Sequence, residues 1–264
     1  MSAVLVTGAA GFIGSHFVDY FLQVDSKYEV ISLDLLTYAG RKKNLELAMH
    51  SPRHTFVQGD IRDPELIARL IRERKVEKIV HFAAESHVDN SIADPGVFLD
   101  TNVLGTHNLL RCAYAAWMDG PGQLRPEFAS ARFVHISTDE VYGSLGPTGH
   151  FTETTPYAPN SPYSASKASS DHLVRSYNRT YGLNTITTNC SNNFGPRQHS
   201  EKLIPTVIRT ALSGQSIPVY GKGQNVRDWL YVKDHVAAVH RAMESGKSGE
   251  VYNVGGGTEL ANLD

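Results

Sequence analysis

Thr7-Gly8-Ala9-Ala10-Gly11-Phe12-Ile13-Gly14 stands where an apolar run, residues 3–7, gives way to a helical pattern over residues 12–24. Glycines at 8, 11 and 14 permit a tight turn, close approach of the backbone to a pyrophosphate, and close packing of the helix on the sheet. The helix that follows would aim its first amide N–H groups at the anion. A glycine trio alone also arises from ordinary turns; its place between a strand and a helix is what makes it a dinucleotide signal. Asp34 then ends the second apolar run. Its carboxylate can accept both hydroxyls of an adenosine ribose and would repel a 2′-phosphate, so NAD is expected rather than NADP. The basic run Arg41, Lys42, Lys43 reads as a solvated surface.

Working outward, short apolar runs at 3–7, 29–33, 55–58, 78–82, 132–137 and 185–190 alternate with helical patterns at 12–24, 64–74, 97–118 and 162–181. Near-continuous apolar strands are expected where both faces of a parallel sheet are covered. Alternation with helices implies right-handed βαβ units and an α/β fold, a doubly wound parallel Rossmann sheet. The 162–181 helix carries its own punctuation: Ser161 to cap, Pro162 in the first turn and Gly182 after the end. Beyond Cys190 the rhythm is broken by Gly195, Pro196, Pro205, Gly214, Pro218, Gly221 and Gly223. Residues 1–190 therefore read as a dinucleotide-binding domain and 191–264 as a smaller substrate-binding region interleaved with it. The last residues, 258–264, look like a helix just beginning, which suggests a further C-terminal part.

Composition narrows the function. Across 264 residues, 25 Lys+Arg stand against 27 Asp+Glu, a net charge of −2 that offers no basic field for a nucleic acid. No apolar run approaches the ~18 residues of a membrane span, and the N-terminus lacks the basic start of a signal peptide, so a cytoplasmic protein with no membrane partner is expected. Two cysteines, Cys112 and Cys190, do not make a disulfide scaffold. The 12 histidines show no metal-ligand spacing, and no metal is expected. His81 reads as packed inside a strand, and His87 lies close enough to the site to touch substrate.

Polar and glycine-containing segments recur at the carboxyl ends of the strands, where ligands of open α/β sheets bind. Asp60 and Ile61 follow the third strand, and Phe82-Ala83-Ala84-Glu85-Ser86 the fourth. Tyr163 and Lys167 lie four apart on one helix face. A neighbouring ammonium would lower the tyrosine from its usual ~10, making a base for an alcohol proton beside a nicotinamide. Ser137-Thr138-Asp139-Glu140-Val141-Tyr142-Gly143 ends the fifth strand. Two adjacent carboxylates at a sheet mouth repel each other, so one is expected to hold a proton near neutrality, giving an acid beside a base.

These segments carry a resemblance. Thr-Gly-x-x-Gly-Phe-Ile-Gly with Tyr163-x-x-x-Lys167 resembles the extended short-chain dehydrogenase/reductase superfamily. Leu36-Thr37-Tyr38-Ala39-Gly40, Ala83-Ala84-Glu85-Ser86-His87-Val88-Asp89, the Ser137–Gly143 segment, Asn192-Asn193-Phe194-Gly195-Pro196 and Glu201-Lys202-Leu203-Ile204-Pro205 resemble the dTDP-glucose 4,6-dehydratase family within it. The likeness runs from residue 4 to the end, with departures at Leu35, commonly basic in that family, and at Arg197-Gln-His-Ser200.

The resemblance implies transient oxidation of dTDP-glucose by tightly bound NAD, loss of water across C5–C6 and hydride return to C6. Tyr163, helped by Lys167 and Thr138, would take the C4 hydroxyl proton, Glu140 the C5 proton, and Asp139 would protonate the leaving C6 hydroxyl. NAD would be lined by Gly8, Gly11, Phe12, Ile13, Gly14, Asp34, Leu35, Leu36, Thr37, Asp60, Ile61, Phe82, Ala83, Ala84, Glu85, Ser86, Thr101, Tyr163, Lys167 and Asn193. The sugar nucleotide would meet Ser86, Thr138, Asn192, Lys202, Leu203, Pro218, Val219, Tyr220, Arg227 and Asn262. Arg227 also suits a diphosphate on physical grounds, since its planar fork matches phosphate oxygens. The family implies a homodimer through the helices at 97–118 and 162–181. The alternatives are a sugar-nucleotide 4-epimerase, which transfers hydride but eliminates nothing, a dehydratase of another nucleotide sugar, and a non-catalytic NAD-binding regulator.

Overall fold

The computed structural model describes residues 1–146, 148–217, 219 and 223–262. In chain order its strands and helices are β1 Ala3–Thr7, α1 Phe12–Val24, β2 Glu29–Asp34, β3 His54–Gln58, α2 Pro64–Glu73, β4 Val76–His81, α3 Val88–Ala93, α4 Pro95–Phe98, α5 Thr106–Trp117, β5 Met118–Gly120, β6 Gln123–Leu124, β7 Arg132–Thr138, α6 Pro162–Tyr181, β8 Thr185–Cys190, β9 Asn192–Phe194, α7 Leu203–Leu212, β10 Val226–Tyr231, α8 Val232–Ser245, β11 Val251–Val254 and β12 Glu259–Ala261. Seven strands form one wholly parallel sheet in the order β11-β8-β7-β4-β1-β2-β3. The chain leaves β1 toward β2 and β3, then crosses to β4 on the other side. That reversal opens a crevice between the ends of β1 and β4, where open α/β sheets take their ligands.

Strand side chains alternate between faces, and the core divides accordingly. Leu5, Ile31, Leu33, Ile79 and Phe133 meet Ile67, Leu109, Trp117 and Val174 of α2, α5 and α6 on one face. Val4, Val6, Val30, Val80 and Val134 meet Phe17, Phe21, Val236 and Val239 of α1 and α8 on the other. Both faces of the sheet are buried, which is why its strands read as continuous apolar runs.

Helix ends follow their chemistry. Asp63 caps α2 by accepting from the amides of Glu65 and Leu66, both at 3.0 Å. Ser161 and Ser164 form a reciprocal capping box on α6, and Gly182 ends that helix in the left-handed region, at φ 73°.

Three expectations need correction. The helix expected at 97–118 is unbroken but not uniform: α4 starts at Pro95 under an Asp94 cap, a π-helical stretch spans Leu99–Gly105, and α5 continues from Thr106. The widening centres on Asn102, whose carbonyl accepts from the hydroxyls of Thr106 and Ser170, both at 2.6 Å. Such side-chain bonds compete with the regular helical ladder. A seventh main-sheet strand, β11, lies in the irregular-looking tail and pairs with β8. Residues 259–261, read as a nascent helix, instead form β12, antiparallel to β10, because pairing across strands supplies their backbone bonds. Strand β10 also pairs in parallel with β9, making a three-stranded sheet beside the main one.

Candidate active site

A cleft of about 360 Å³ runs along the carboxyl ends of β1, β2, β4, β7 and β8. Its floor is the turn after β1. Gly8 has φ 65°, and a Cβ there would sit 2.5 Å from the Ala83 nitrogen, so glycine is required for the two strand ends to approach. A Cβ at Gly14 would likewise strike the Gly8 carbonyl. Gly11 precedes α1 without a capping side chain, leaving the first amides of the helix for an anion.

Asp34 is 8% exposed, and its carboxylate is pre-oriented: Oδ2 accepts from the Ala10 amide and Oδ1 from the Leu36 amide, both at 2.8 Å. Burial raises its pKa, and those two bonds work the other way. This cradle, with small residues at Ala83 and Ala84 beside it, fits a dinucleotide. Of the residues expected around NAD, all but Leu36 line the cleft. Leu36, at φ 60°, packs against the α1 side of the core, and only its amide serves the site. Asp60 lines the cleft with both oxygens already taken by Arg62, at 2.7 to 3.1 Å. Burial would raise Asp60, but the guanidinium carries it below the usual carboxylate range.

The chemical end lies where β7 and β8 finish. Thr138, Glu140, Tyr163 and Lys167 line the same cleft as the glycine turn. Asn102 braces this end: its Oδ1 accepts from the Glu85 amide at 2.8 Å and its Nδ2 donates to Ser166 Oγ at 2.8 Å, tying the loop after β4 to α6.

Tyr163 departs from expectation. Its pKa is pushed well above the ordinary value, chiefly by burial and then by the charges of Glu140 and Cys190. Lys167 does not counter this rise; its Nζ donates to the Ile136 carbonyl at 2.8 Å. The Thr138 hydroxyl, bonded to the phenol, opposes the rise.

Asp139 is pushed up to about 6 by burial and by the adjacent Glu140, with Arg227 opposing. Glu140 is raised by burial, against Arg227 and Lys202. Asp139 is not itself part of the cleft lining; its Oδ1 accepts from Thr138 Oγ1 at 3.3 Å.

Ser86, Thr138, Asn192 and Lys202 of the expected sugar contacts line the cleft; Leu203, Val219, Arg227 and Asn262 do not. Arg227 is exposed on β10 but close enough for its charge to act on Asp139 and Glu140. Pro218 and Tyr220 lie outside the described residues.

Sequence reading missed Tyr38, Gln198, His199 and Glu201, which line the mouth. Tyr38 meets His199 edge-on at 5.7 Å, and Glu201 lies 3.6 Å from His87 and 3.4 Å from His199. Glu201 stood inside a motif already singled out, next to Lys202, and that adjacency was the available signal. Both cysteines are free and buried, and Cys190, read as core, also borders the cleft. His81 is buried between the hydroxyls of Thr7 and Thr106, at 2.7 and 2.9 Å.

Comparison with known proteins finds relatives over the whole chain. The model of the GDP-mannose 4,6 dehydratase family matches residues 5–264. A dTDP-glucose 4,6-dehydratase of Xanthomonas campestris pv. campestris (strain B100) is 54% identical over 264 residues, covering 100% of this chain and 74% of that protein. A dTDP-glucose 4,6-dehydratase from Streptomyces venezuelae, solved as a double mutant with NAD bound, superposes with a TM-score of 0.90 at 50% identity, over 98% of this chain and 77% of that one. The enzyme of that name from Bacillus anthracis str. Ames, in complex with NAD, gives 0.89 at 48% identity, over 100% and 78%.

Proposed function

The chain belongs to the GDP-mannose 4,6 dehydratase family and, within it, to the dTDP-glucose 4,6-dehydratases, and on that footing we propose that it converts dTDP-glucose to dTDP-4-keto-6-deoxy-glucose with NAD in the cleft. The observation that carries the reading is the pair Asp139 and Glu140, raised in pKa, at the end of the strand that also carries Thr138 into the dinucleotide cleft. A cleft without them could oxidise and reduce a sugar but could not expel water.

Gly8, Gly11, Gly14 and the first turn of α1 would hold the pyrophosphate of NAD, and Asp34 would hold its adenosine ribose. When bound in this cleft, NAD would supply a transient hydride acceptor for sugar C4 and the hydride returned to C6, with no net redox change. The chain's own residues move the protons. Ionised by the positive charge that bound NAD would place beside it, Tyr163 would take the proton of the C4 hydroxyl, with the Thr138 hydroxyl turning from Asp139 to donate to the phenolate. The resulting 4-ketone acidifies the C5 proton, which Glu140 removes. Asp139, with a pKa of about 6, gives its proton to the C6 hydroxyl, which leaves as water. Glu140 then returns a proton to C5. Lys167 is an ammonium anchored on Ile136 with two N–H donors left for the cofactor side of the cleft.

Residues 191–264 supply the sugar-nucleotide side, through Asn192, Lys202, Leu203 and Arg227, with Arg227 on the diphosphate. The protein works in the cytoplasm as a homodimer through α4 to α6. No helix among the described residues is long and apolar enough to cross a membrane. Exposed Leu99 and Leu104 on the π-helical stretch support that pairing face.

The test is a panel of dTDP-, UDP-, CDP- and GDP-glucose incubated with the NAD-loaded protein. The expected product is lighter by one water with dTDP-glucose. An unchanged mass with NAD bound would defeat the assignment, and an epimer of equal mass would replace it.

A further inference from the structure

A helix returns to the same face every four residues, and α6 uses that spacing three times: Tyr163, Lys167 and Asp171. The mechanism above uses the first two. Asp171 is 4% exposed, and a carboxylate so deeply buried is costly unless its oxygens are satisfied. Its Oδ2 accepts from Ser137 Oγ at 2.9 Å and from the Tyr157 hydroxyl at 3.0 Å. Its Oδ1 lies 3.0 Å from Nε2 of fully buried His135. One carboxylate thus joins α6, strand β7 and the loop before α6.

Lys167, one turn back, is equally buried. Burial works against its ammonium, and the negative charge of Asp171 is the main influence in its favour, with Cys190 of β8 next. The other titratable groups around the pair are Tyr163 and His172 of α6, His135 of β7, His81 of β4, Tyr142 and Tyr157. Both strand histidines are pushed well below their ordinary value by burial, and Lys167 pushes them the same way, so neither supplies a second cation.

We propose that Asp171 is a positioning residue whose buried negative charge keeps Lys167 an ammonium and whose bond to Ser137 locks α6 to the strand end carrying Thr138, Asp139 and Glu140. The inference deepens the reading of Lys167 as a cofactor contact and rests on it. The charge matters beyond the shape. An asparagine at 171 keeps an oxygen for Ser137 and Tyr157 but carries no charge to favour the ammonium.

The experiment measures the rate of NAD release from the loaded enzyme between pH 6.5 and 9.5 for the wild type, Asp171→Asn, Tyr157→Phe and Lys167→Met. Release quickens when Lys167 loses its proton. Asp171→Asn is expected to bring that onset down by at least one pH unit, whereas Tyr157→Phe, which removes a bond that lowers the Asp171 pKa but leaves a carboxylate still ionised on the alkaline side, leaves the onset at the wild-type pH. Superimposable curves for Asp171→Asn and wild type would overturn the proposal. An equal shift in Tyr157→Phe would also overturn it, since packing would then be the cause. Lys167→Met releasing NAD like the wild type at every pH would instead remove the cofactor role of Lys167.

If Asp171→Asn does not fold, reciprocity supplies the second measurement, because coupling between two sites acts equally in both directions. The protonated-carboxyl infrared band of Asp171 is titrated in the wild type and in Lys167→Met. Its midpoint is expected to rise by at least one pH unit in the variant, and an unchanged midpoint would overturn the proposal.

Discussion

The amide of Ala10 donates a 2.8 Å hydrogen bond to Oδ2 of Asp34, so the glycine-rich turn itself aims the carboxylate that ends β2. Two halves of the nucleotide signature, distant in sequence, are one hydrogen-bonded unit. Asp34→Ala should therefore weaken NAD binding by roughly 10- to 100-fold, the scale of losing charge-assisted bonds. It should narrow the preference for NAD over NADP at the same time. Equilibrium titration with both cofactors checks this, and an unchanged ratio would remove Asp34 from ribose recognition.

Gly8→Ala should cost about 1–3 kcal/mol of stability, from strain at φ 65° and from contact with Ala83. It should also abolish NAD binding, because the added methyl occupies the crevice between β1 and β4. Thermal unfolding with and without NAD separates the two effects: the variant should show no cofactor-induced rise in Tm.

Tyr163→Phe retains the ring but removes the proton acceptor. Turnover should fall by about 10²- to 10⁴-fold, while NAD affinity changes by less than about threefold. Parallel losses in turnover and affinity would mean that the hydroxyl holds the fold or the cofactor rather than moving a proton.

Glu140→Gln keeps the size of the side chain and removes its basicity. When the reaction is run in deuterated water, the wild type should place solvent deuterium at C5 and the variant should place none. Uptake in the variant would transfer the base role to another group.

Asp139 links chemistry to stability. Its folded pKa of about 6 exceeds the ordinary 3.8, so the folded state holds the proton more tightly than the unfolded chain. That advantage is complete below pH 3.8 and disappears as pH rises through 6, a change on the order of 3 kcal/mol. Asp139→Asn should therefore melt higher than the wild type at pH 8, little differently near pH 4, and turn over far more slowly. A variant less stable than wild type at pH 8 would show that Asp139 is held for structure.

Much of this was legible from local order. The spans of β1, α1, α6 and β8 and the glycine turn follow from side chains and neighbours within a few residues, where apolar periodicity and capping operate. So did the Tyr163–Lys167 spacing and the adjacency of Asp139 and Glu140. The π-helical stretch within the 97–118 helix was not legible, since the Asn102 carbonyl at its centre accepts from Ser170, a residue far along the chain. Nor was the strand character of Val251–Val254 and Glu259–Ala261, whose backbone partners are β8 and β10.

Sequence alone thus determined that a dinucleotide fold would carry a tyrosine, a lysine and paired acids at its strand ends, because those features are local. Only the tertiary structure decided their ionisation and which groups meet. Burial raises Tyr163, Asp139 and Asp171, and the Ile136 carbonyl claims Lys167. Desolvation and through-space charge depend on what the rest of the chain packs against each group, which no neighbour in sequence reports.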